Sequence, residues 1–178
     1  MTAPRAGPVL FGMLQTEFGE IGAVWTVKRG QNQLLRVILS SSAGRASRVI
    51  SQLFPEARRN SGSFFAEVAG VIEGVLKGRD HETTDLAFSM KDLKSFQRNV
   101  LLQVRKIPRG ETATYGGVAS AAGYPEAFRA AGMALARNPF PLIIPCHRVV
   151  PASGGIGGYQ GGGNMKRHLL SVEGATIT

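Results

Sequence analysis

The segment NPFPLIIPCHRVV, residues 138 to 150, contains the single cysteine of this 178-residue chain, Cys146. A thiol next to His147 could act as a nucleophile, because a thiolate attacks carbon readily once a base has taken its proton. The opposing interpretation is a small buried apolar side chain, the usual role of a free cysteine. Neighbouring side chains in an extended segment point to opposite sides, so contact between the two requires a turn or a bridging water. The other histidines, His81 and His168, lie in no recognisable catalytic context.

Residues 151 to 164, which follow the cysteine, contain seven glycines: PASGGIGGYQGGGN. This composition predicts a loop with left-handed backbone conformations or with a close approach to a flat group. The loop lacks the Gly-Lys-Ser/Thr ending of a phosphate-binding loop. We therefore exclude a nucleotide site.

Positive charge is concentrated in the half that contains the cysteine. The formal net charge is +9, with a pI near 10.4. Residues 1–90 carry ten Lys and Arg against eight Asp and Glu, whereas residues 91–178 carry eleven against four. This distribution favours an anionic partner, most commonly nucleic acid, although charge alone also fits a merely soluble basic surface.

The composition is that of an ordinary globular protein, with 43% hydrophobic and 19% charged residues. One cysteine excludes an intrachain disulfide and a multi-cysteine metal cage. Residues 1–8 lack the apolar core of a secretory signal, and no stretch approaches the length of a membrane span. We therefore expect a soluble protein without membrane association, cytoplasmic in a prokaryote or nuclear in a eukaryote.

The first half of the chain contains no recognisable chemical motif, and we interpret it as a structural scaffold. Short apolar segments separated by Gly and polar residues predict a strand meander at residues 9–14, 21–27 and 34–39. Apolar spacings of three and four predict helices at 45–53 and 63–76. The polar segment 79–92 is the predicted linker. We therefore expect two domains, an α/β scaffold at 1–90 and a second domain at 91–178 that contains the cysteine.

The second half reads as helical. Helices are predicted at residues 96–104, from the N-cap Thr114 to Gly123, at 125–137 and at 165–172. The middle pair fits a helix-turn-helix motif and fits equally an αα-hairpin that only packs. Arg129, in the first turns of the second helix, and Arg137, near its end, favour the DNA-binding interpretation.

Several motifs together resemble the O6-alkylguanine-DNA alkyltransferases, also called methylated-DNA–protein-cysteine methyltransferases. IPCHRVV is similar to the family's active-site motif, TYGGVA to the head of its helix-turn-helix and EAFRAAGMALARNP to its recognition helix. SGGIGGYQGG and KRHLLSVEG resemble the loop and closing helix that follow. The resemblance implies an N-terminal ribonuclease-H-like α/β domain followed by a mostly helical C-terminal domain with a winged helix-turn-helix. It implies no cofactor, and the cysteines of the structural zinc site of some relatives are absent.

The resemblance also implies a reaction and the residues that perform it. Cys146 accepts the alkyl group of O6-alkylguanine, and by extension of O4-methylthymine, in one irreversible transfer. His147 takes the thiol proton through a water, and Glu173 orients and polarises His147. Tyr115 protonates the departing guanine, and Asn138 corresponds to the family's hinge asparagine.

Substrate and DNA contacts follow from the same resemblance. The carbonyls of Cys146 and Val149 accept from the exocyclic amine, while Tyr159 and Gln160 line the pocket. Gln160 replaces the serine of many relatives, so a hydroxyl contact to oxygen 6 is lost. Arg129 fills the gap left by the flipped nucleotide. The implied DNA-contacting residues are Thr114, Tyr115, Ala127, Arg129, Ala130, Arg137 and Arg148. The implied partner is the minor groove of double-stranded DNA containing O6-alkylguanine. A monomer is expected, and cooperative binding along DNA is left open.

Two other functions compete with the repair interpretation. A sensor that binds alkylated DNA without transfer would carry another residue where this chain has Cys146. A cysteine hydrolase would need a histidine from a distant segment, and neither His81 nor His168 has such a context. A fused adaptive-response regulator is excluded because the chain lacks a cysteine-rich zinc domain.

Overall fold

Strands form most of the first part of the chain, and helices form most of the second. The computed structural model describes residues 7–41, 44–79 and 86–176; His81 and much of the predicted linker lie outside these ranges. The strands are β1 (Val9–Thr16), β2 (Gly19–Lys28), β3 (Gln31–Leu39), β4 (Arg58–Arg59), β5 (Ala113–Thr114) and β6 (Val149–Val150). The helices are α1 (Ala46–Leu53), α2 (Ser63–Leu76), α3 (Ser95–Val104), α4 (Tyr115–Ala121), α5 (Phe128–Ala136) and α6 (Gly162–Val172). Each predicted strand and helix is present. Among the described residues, no helix is both long and apolar enough to cross a membrane.

A mixed sheet with strand order β3-β2-β1-β4 forms the N-terminal scaffold. The first three strands pair antiparallel, as the predicted meander requires, and β4 pairs parallel to β1. Arg29 and Gly30 turn the chain between β2 and β3 with φ angles of 52° and 77°. Positive φ at both positions gives the turn the twist of its flanking strands, and glycine adopts it without steric cost.

The central strand β2 is apolar on both faces because the sheet is covered on both sides. Val24 clusters with Ile50 of α1, whereas its neighbour Ala23 clusters with Val68 and Ile72 of α2. Consecutive side chains of a strand point to opposite faces, so adjacent residues pack against the helices on opposite sides of the sheet. The architecture is therefore α/β, with helices against a mixed sheet.

One apolar cluster crosses the predicted domain boundary at residues 90 and 91. It contains Ile72 of α2 together with Val100 of α3. The backbone N–H of Val37 in β3 also donates to the carbonyl of Pro139 over 2.8 Å, which ties the sheet to the segment leading to Cys146. The first half thus supports the site directly, and the division into two domains stays a prediction.

The helix pair α4 and α5 begins with a side-chain cap. The Thr114 Oγ1 accepts a hydrogen bond from the Gly117 N–H over 3.0 Å, which confirms Thr114 as the N-cap of α4. Helix α5 starts at Phe128 and not at residue 125. The Ala127 N–H donates to the Tyr124 carbonyl over 3.0 Å and closes a turn just before the helix.

A second, short sheet joins the segment before α4 to the segment after the cysteine. Strands β5 and β6 pair parallel, with Ala113 opposite Val149. Further along, α6 begins at Gly162, three residues before the predicted start. Gly162 has a φ of 85°, a left-handed conformation that glycine adopts freely and that turns the loop into the helix.

Candidate active site

Cys146 opens a single 3-10 turn, Cys146–Arg148, at the end of a buried apolar run. The Cys146 N–H donates to the Ile144 carbonyl over 2.7 Å. Just before, Leu142 has a φ of 72°, which a bulky side chain rarely adopts and which stores backbone strain close to the thiol. The segment is therefore a turn and not an extended strand at this point, and the side chains of Cys146 and His147 are both buried.

Asn138 holds the thiol in place. Its Nδ2 lies 3.2 Å from Cys146 Sγ and 3.2 Å from the Ile144 carbonyl, and its Oδ1 accepts from the Phe140 N–H over 2.9 Å. Burial raises the pKa of the Cys146 thiol above its ordinary value, whereas the Asn138 hydrogen bond and the charge of Lys166 oppose that shift. A thiol with a raised pKa is protonated at neutral pH. Attack by its sulfur therefore needs a nearby base that removes the proton.

His147 has the properties of that base. Its Nε2 lies 3.0 Å from the Glu173 Oε1, and because a carboxylate only accepts hydrogen bonds, Nε2 carries the proton and Nδ1 the lone pair. The Nδ1 atom is buried and has no hydrogen-bond partner among the described residues. Burial lowers the pKa of His147, although its hydrogen bond to Glu173 raises it, so the ring is neutral near pH 7 and its Nδ1 can accept a proton.

Glu173 is held by two partners at once. Arg148 donates from Nε to its Oε2 over 2.9 Å and from Nη2 to its Oε1 over 2.8 Å, a two-point ion pair. Burial raises the pKa of Glu173, but the hydrogen bonds from His147 and Arg148 outweigh it and lower the pKa to about 2. Glu173 therefore stays ionised and fixes the orientation of His147.

The position of Arg148 bears on one prediction, that this residue contacts DNA. Its guanidinium points toward Glu173, and Nη1 donates to the Ile107 carbonyl over 2.7 Å. With donors on Nε, Nη1 and Nη2 all used inside the protein, this arrangement argues against the DNA contact predicted for Arg148. Arg148 instead fixes the position of the Glu173 carboxylate.

The Cys146 side chain borders a cavity of about 250 Å³. The residues that line this cavity are Tyr115, Gly132, Leu135, Ala136, Cys146, Gly158, Tyr159 and Gln160. Four of the predicted site residues are thus brought together around one space, although they come from three different segments of the chain. A cavity of this size is suited to a small planar group.

Tyr115 and Tyr159 face this cavity with neutral hydroxyls. Burial and the nearby Cys146 raise the pKa of half-buried Tyr115. Burial raises the pKa of Tyr159 still further, and its Oη has no hydrogen-bond partner among the described residues. Both phenols can therefore donate a proton or a hydrogen bond to a bound group at neutral pH.

Gln160 is hydrogen-bonded to backbone carbonyls at and just after the end of α5. Its Nε2 donates to the Asn138 carbonyl over 2.9 Å and lies 3.4 Å from the Leu135 carbonyl. The side chain thus helps close one wall of the cavity, and it also braces the residue that holds the thiol. Its backbone N–H stays a candidate donor for a bound base.

The sequence interpretation missed Lys166, a fully buried lysine of α6. Its Nζ donates to the Val149 carbonyl over 2.6 Å and lies 3.4 Å from the Gly158 carbonyl. Burial lowers its pKa to about 8, although the attraction of Cys146 opposes the shift. The signal was present in the sequence, because Lys166 precedes Leu169 and Leu170 by three and four residues on the buried face of the helix. The Val149 carbonyl, a predicted substrate acceptor, retains a second lone pair.

The predicted DNA-contacting residues of α5 lie on the protein surface. Arg129, Ala130 and Arg137 are exposed, and Ala127 is partly exposed at the N-cap. The Arg129 guanidinium lies over the Phe128 ring, 5.5 Å from its centroid. The same helix contributes Gly132, Leu135 and Ala136 to the cavity wall, so one short helix connects an exposed basic surface with the thiol pocket. The described residues include no group of His, Cys, Asp and Glu side chains that could hold a metal ion.

The known proteins that this chain resembles include methyltransferases that act on methylated DNA. Residues 95–175 match the family model described as 6-O-methylguanine DNA methyltransferase, DNA binding domain. The methylated-DNA–protein-cysteine methyltransferase of Methanothermobacter thermautotrophicus is 54% identical over 82 residues, which is 46% of either chain. The corresponding protein of Methanosarcina acetivorans is 37% identical over 121 residues, 68% of this chain and 76% of that relative.

The fold also matches solved structures along most of the chain. Mycobacterium tuberculosis OGT in complex with DNA is 29% identical, with a TM-score of 0.75 over 93% of this chain and 92% of that one. The O6-methylguanine-DNA methyltransferase of Pyrococcus kodakaraensis, at 23% identity and a TM-score of 0.72, shares the fold.

Proposed function

The chain belongs to the methylated-DNA–protein-cysteine methyltransferase family, and on that basis we propose that it repairs DNA by accepting alkyl groups on Cys146. The substrate is O6-alkylguanine in double-stranded DNA, with O4-methylthymine as a second substrate. The alkyl group moves once and irreversibly to the protein's own sulfur, so each molecule repairs one lesion. No cofactor takes part in this reaction.

One observation carries the proposal: the Cys146 thiol borders a cavity of about 250 Å³ and is followed by a buried, neutral His147 that is paired with Glu173. His147 Nδ1 takes the thiol proton through a bridging water, and the resulting thiolate attacks the alkyl carbon. The carbon–sulfur bond forms as the bond from that carbon to oxygen 6 breaks. Tyr115 donates its proton to the ring nitrogen of guanine, so that a neutral base leaves.

The pocket recognises the base through backbone and side-chain groups. The carbonyls of Cys146 and Val149 accept from the exocyclic amine, and Lys166 holds Val149 in position through its 2.6 Å hydrogen bond. Tyr159 and Gln160 line the base. Asn138, which joins the thiol to the end of α5, acts as the hinge between the reaction site and the DNA-contacting helix.

DNA binding follows from the helices α4 and α5. We infer that they form a winged helix-turn-helix whose second helix enters the minor groove, where its small residues allow close approach. Thr114, Tyr115, Ala127, Ala130 and Arg137 contact the DNA. Arg129 fills the space of the flipped nucleotide, since a stacked base cannot reach a buried sulfur. Binding weakens as salt rises, because phosphate contacts release counterions.

The remaining features of the proposal concern organisation. The sheet and its helices form a ribonuclease-H-like scaffold domain at residues 1–90, and residues 91–178 form the transfer domain. The protein acts as a monomer in the cytoplasm, or in the nucleus if the source is eukaryotic. Cooperative binding along DNA is a property to be measured by titration on duplexes of increasing length.

A labelled substrate tests the function. A duplex with O6-methylguanine carrying a radioactive methyl group is incubated with the protein and with the Cys146→Ala variant. We expect label on the wild-type protein, at no more than one methyl per molecule, and binding without transfer by the variant. Tight binding by wild type with no transfer would favour a non-catalytic sensor of alkylated DNA. Loss of the lesion with free methanol as product would indicate a hydrolase.

A further inference from the structure

Helix α5 exposes a large aromatic side chain at its first residue. Phe128 is 50% exposed, and Leu102, an apolar residue of α3, is 38% exposed. The buried face of α5 is formed by Ala131, Ala134 and Leu135. Phe128 lies on the same side of α5 as Ala131 and Leu135 but nearer the N-terminus, where the residue is half exposed to water, an unfavourable state for an apolar group.

The position of Phe128 relates its ring to the cavity. Phe128 lies four residues before Gly132 and seven before Leu135, and both of these line the cavity beside Cys146. Residues at these spacings share one side of a helix, and helical side chains lean toward the N-terminus. The phenyl ring thus lies on the same side of α5 as these cavity residues, at the N-terminal end of the helix.

The neighbouring arginine is in contact with the same ring. The Arg129 guanidinium lies 5.5 Å from the Phe128 centroid, within range of a cation–π interaction. An exposed apolar ring and a cation are therefore paired at the first turn of the helix. Arg137, also exposed, lies at the other end of α5, so the ring belongs to a surface whose charge suits a phosphate backbone.

We propose that Phe128 is an apolar wedge that enters the minor groove beside Arg129 and unstacks the base pair next to the damaged nucleotide. Proteins that bend or open DNA from the minor groove insert Phe, Leu or Met side chains between base steps in this way. The wedge lowers the cost of unstacking that must precede nucleotide flipping. This inference rests on the proposed function and adds a residue that determines how well duplex DNA is repaired relative to the free base.

The test compares substrates that do or do not need unstacking. Single-turnover rate constants for alkyl transfer are measured on duplex DNA with O6-methylguanine, on the same lesion in a single strand, and on free O6-benzylguanine. The proteins are wild type, Phe128→Ala, Phe128→Leu and the control Leu102→Ala, which removes an exposed apolar residue from α3. A duplex with 2-aminopurine beside the lesion reports unstacking as a rise in fluorescence.

We expect Phe128→Ala to slow transfer from the duplex about tenfold, with a smaller effect on the single strand and none on the free base. Its 2-aminopurine signal should fall as well. Phe128→Leu, which keeps an apolar wedge, and Leu102→Ala should stay within about twofold of wild type on the duplex.

Three results would contradict the wedge proposal. In the first, Phe128→Ala transfers alkyl groups from the duplex as fast as wild type; in the second, it loses the same factor in rate constant on the duplex and on the free base. In the third, Phe128→Leu is as slow on the duplex as Phe128→Ala. Each of these leaves wild-type transfer to Cys146 intact. Failure of the proposed function would instead appear as no transfer by the wild-type protein from any of the three substrates.

Discussion

The Glu173 Oε1 lies 3.0 Å from the His147 Nε2, and both side chains are buried. This contact determines which ring nitrogen of His147 carries the proton. Arg148 completes the arrangement by binding both oxygens of the carboxylate. The basic nitrogen, Nδ1, is thereby left for proton transfer from the neighbouring Cys146.

Replacing Glu173 by glutamine should slow methyl transfer by about 100-fold or more. The glutamine amide can donate to His147 Nε2, which would move the ring proton to Nδ1 and remove the base. Single-turnover kinetics on methylated duplex measure the loss, and thermal unfolding verifies that the variant is folded. Glu111→Gln, an exposed change in a nearby loop, serves as the matched control and should react like wild type. A Glu173→Gln protein with wild-type kinetics would remove the positioning role of Glu173.

Lys166 should give the reaction a pH dependence near 8. Its pKa is about 8 in the folded protein, against about 10.4 for an unperturbed lysine. Above pH 8 it therefore loses the charge that attracts the Cys146 thiolate. The transfer rate constant should then increase with pH less steeply than ionisation of the thiol alone would predict. Lys166→Met should be slower than wild type at pH 7 and should lack this change near pH 8. The measurement is the transfer rate constant from pH 6.5 to 9.5, with the exposed Lys106→Met as control.

Lys166 should also make the free energy of unfolding depend on pH. Between pH 8 and about 10.4 the unfolded chain binds a proton at Lys166 that the folded chain has released. The Lys166 contribution to the free energy of unfolding therefore rises with pH across this window, because burial of the charged form is unfavourable below it. Identical pH profiles of rate and stability for wild type and Lys166→Met would contradict the assignment.

Asn138→Ala should destabilise the protein by about 2 kcal/mol or more. The change leaves the buried Phe140 N–H without its acceptor and the Ile144 carbonyl without its side-chain donor. It also removes the hydrogen bond to Cys146 Sγ that lowers the thiol pKa, so alkylation by iodoacetamide should slow. Urea unfolding measures the stability, and Asn164→Ala, on the exposed start of α6, should stay within about 0.5 kcal/mol of wild type. A stable Asn138→Ala protein would show that these bonds are dispensable.

Arg129→Ala should weaken repair of duplex DNA about tenfold and leave reaction with free base unchanged. The reason is that only a duplex requires the gap of a flipped nucleotide to be filled. Rate constants on the two substrates are compared with those of Arg58→Ala, an exposed arginine of β4 distant in sequence from α4 and α5. Equal losses on both substrates would remove the finger role of Arg129.

Much of the molecule could be predicted from local patterns. The meander of β1 to β3 follows from short apolar segments broken by turns, and the cap at Thr114 from its place before a helix. The motif around Cys146 predicted this thiol as the alkyl acceptor and His147 as its base, and the structure places both side chains in the buried site. The start of α5 was displaced by three residues because a turn that ends at Ala127 occupies the position where Pro125 suggested the first helical turn.

Contacts between distant segments could not be predicted in this way. The inward orientation of Arg148 depends on Glu173 and on the Ile107 carbonyl, which are 25 and 41 residues away. The bond from Gln160 to the Asn138 carbonyl depends on how the glycine-rich loop packs against α5. Such contacts are set by the tertiary fold, and only the buried face of α6 gave a local signal for Lys166.

Mass spectrometry of the peptide that contains Cys146, after reaction with a duplex carrying O6-methylguanine, tests the central claim most directly. The account predicts one methyl group on the sulfur for every lesion removed, with repair ending when each molecule has reacted once. An unmodified sulfur after the lesion has disappeared, or more than one lesion repaired per molecule, would contradict it.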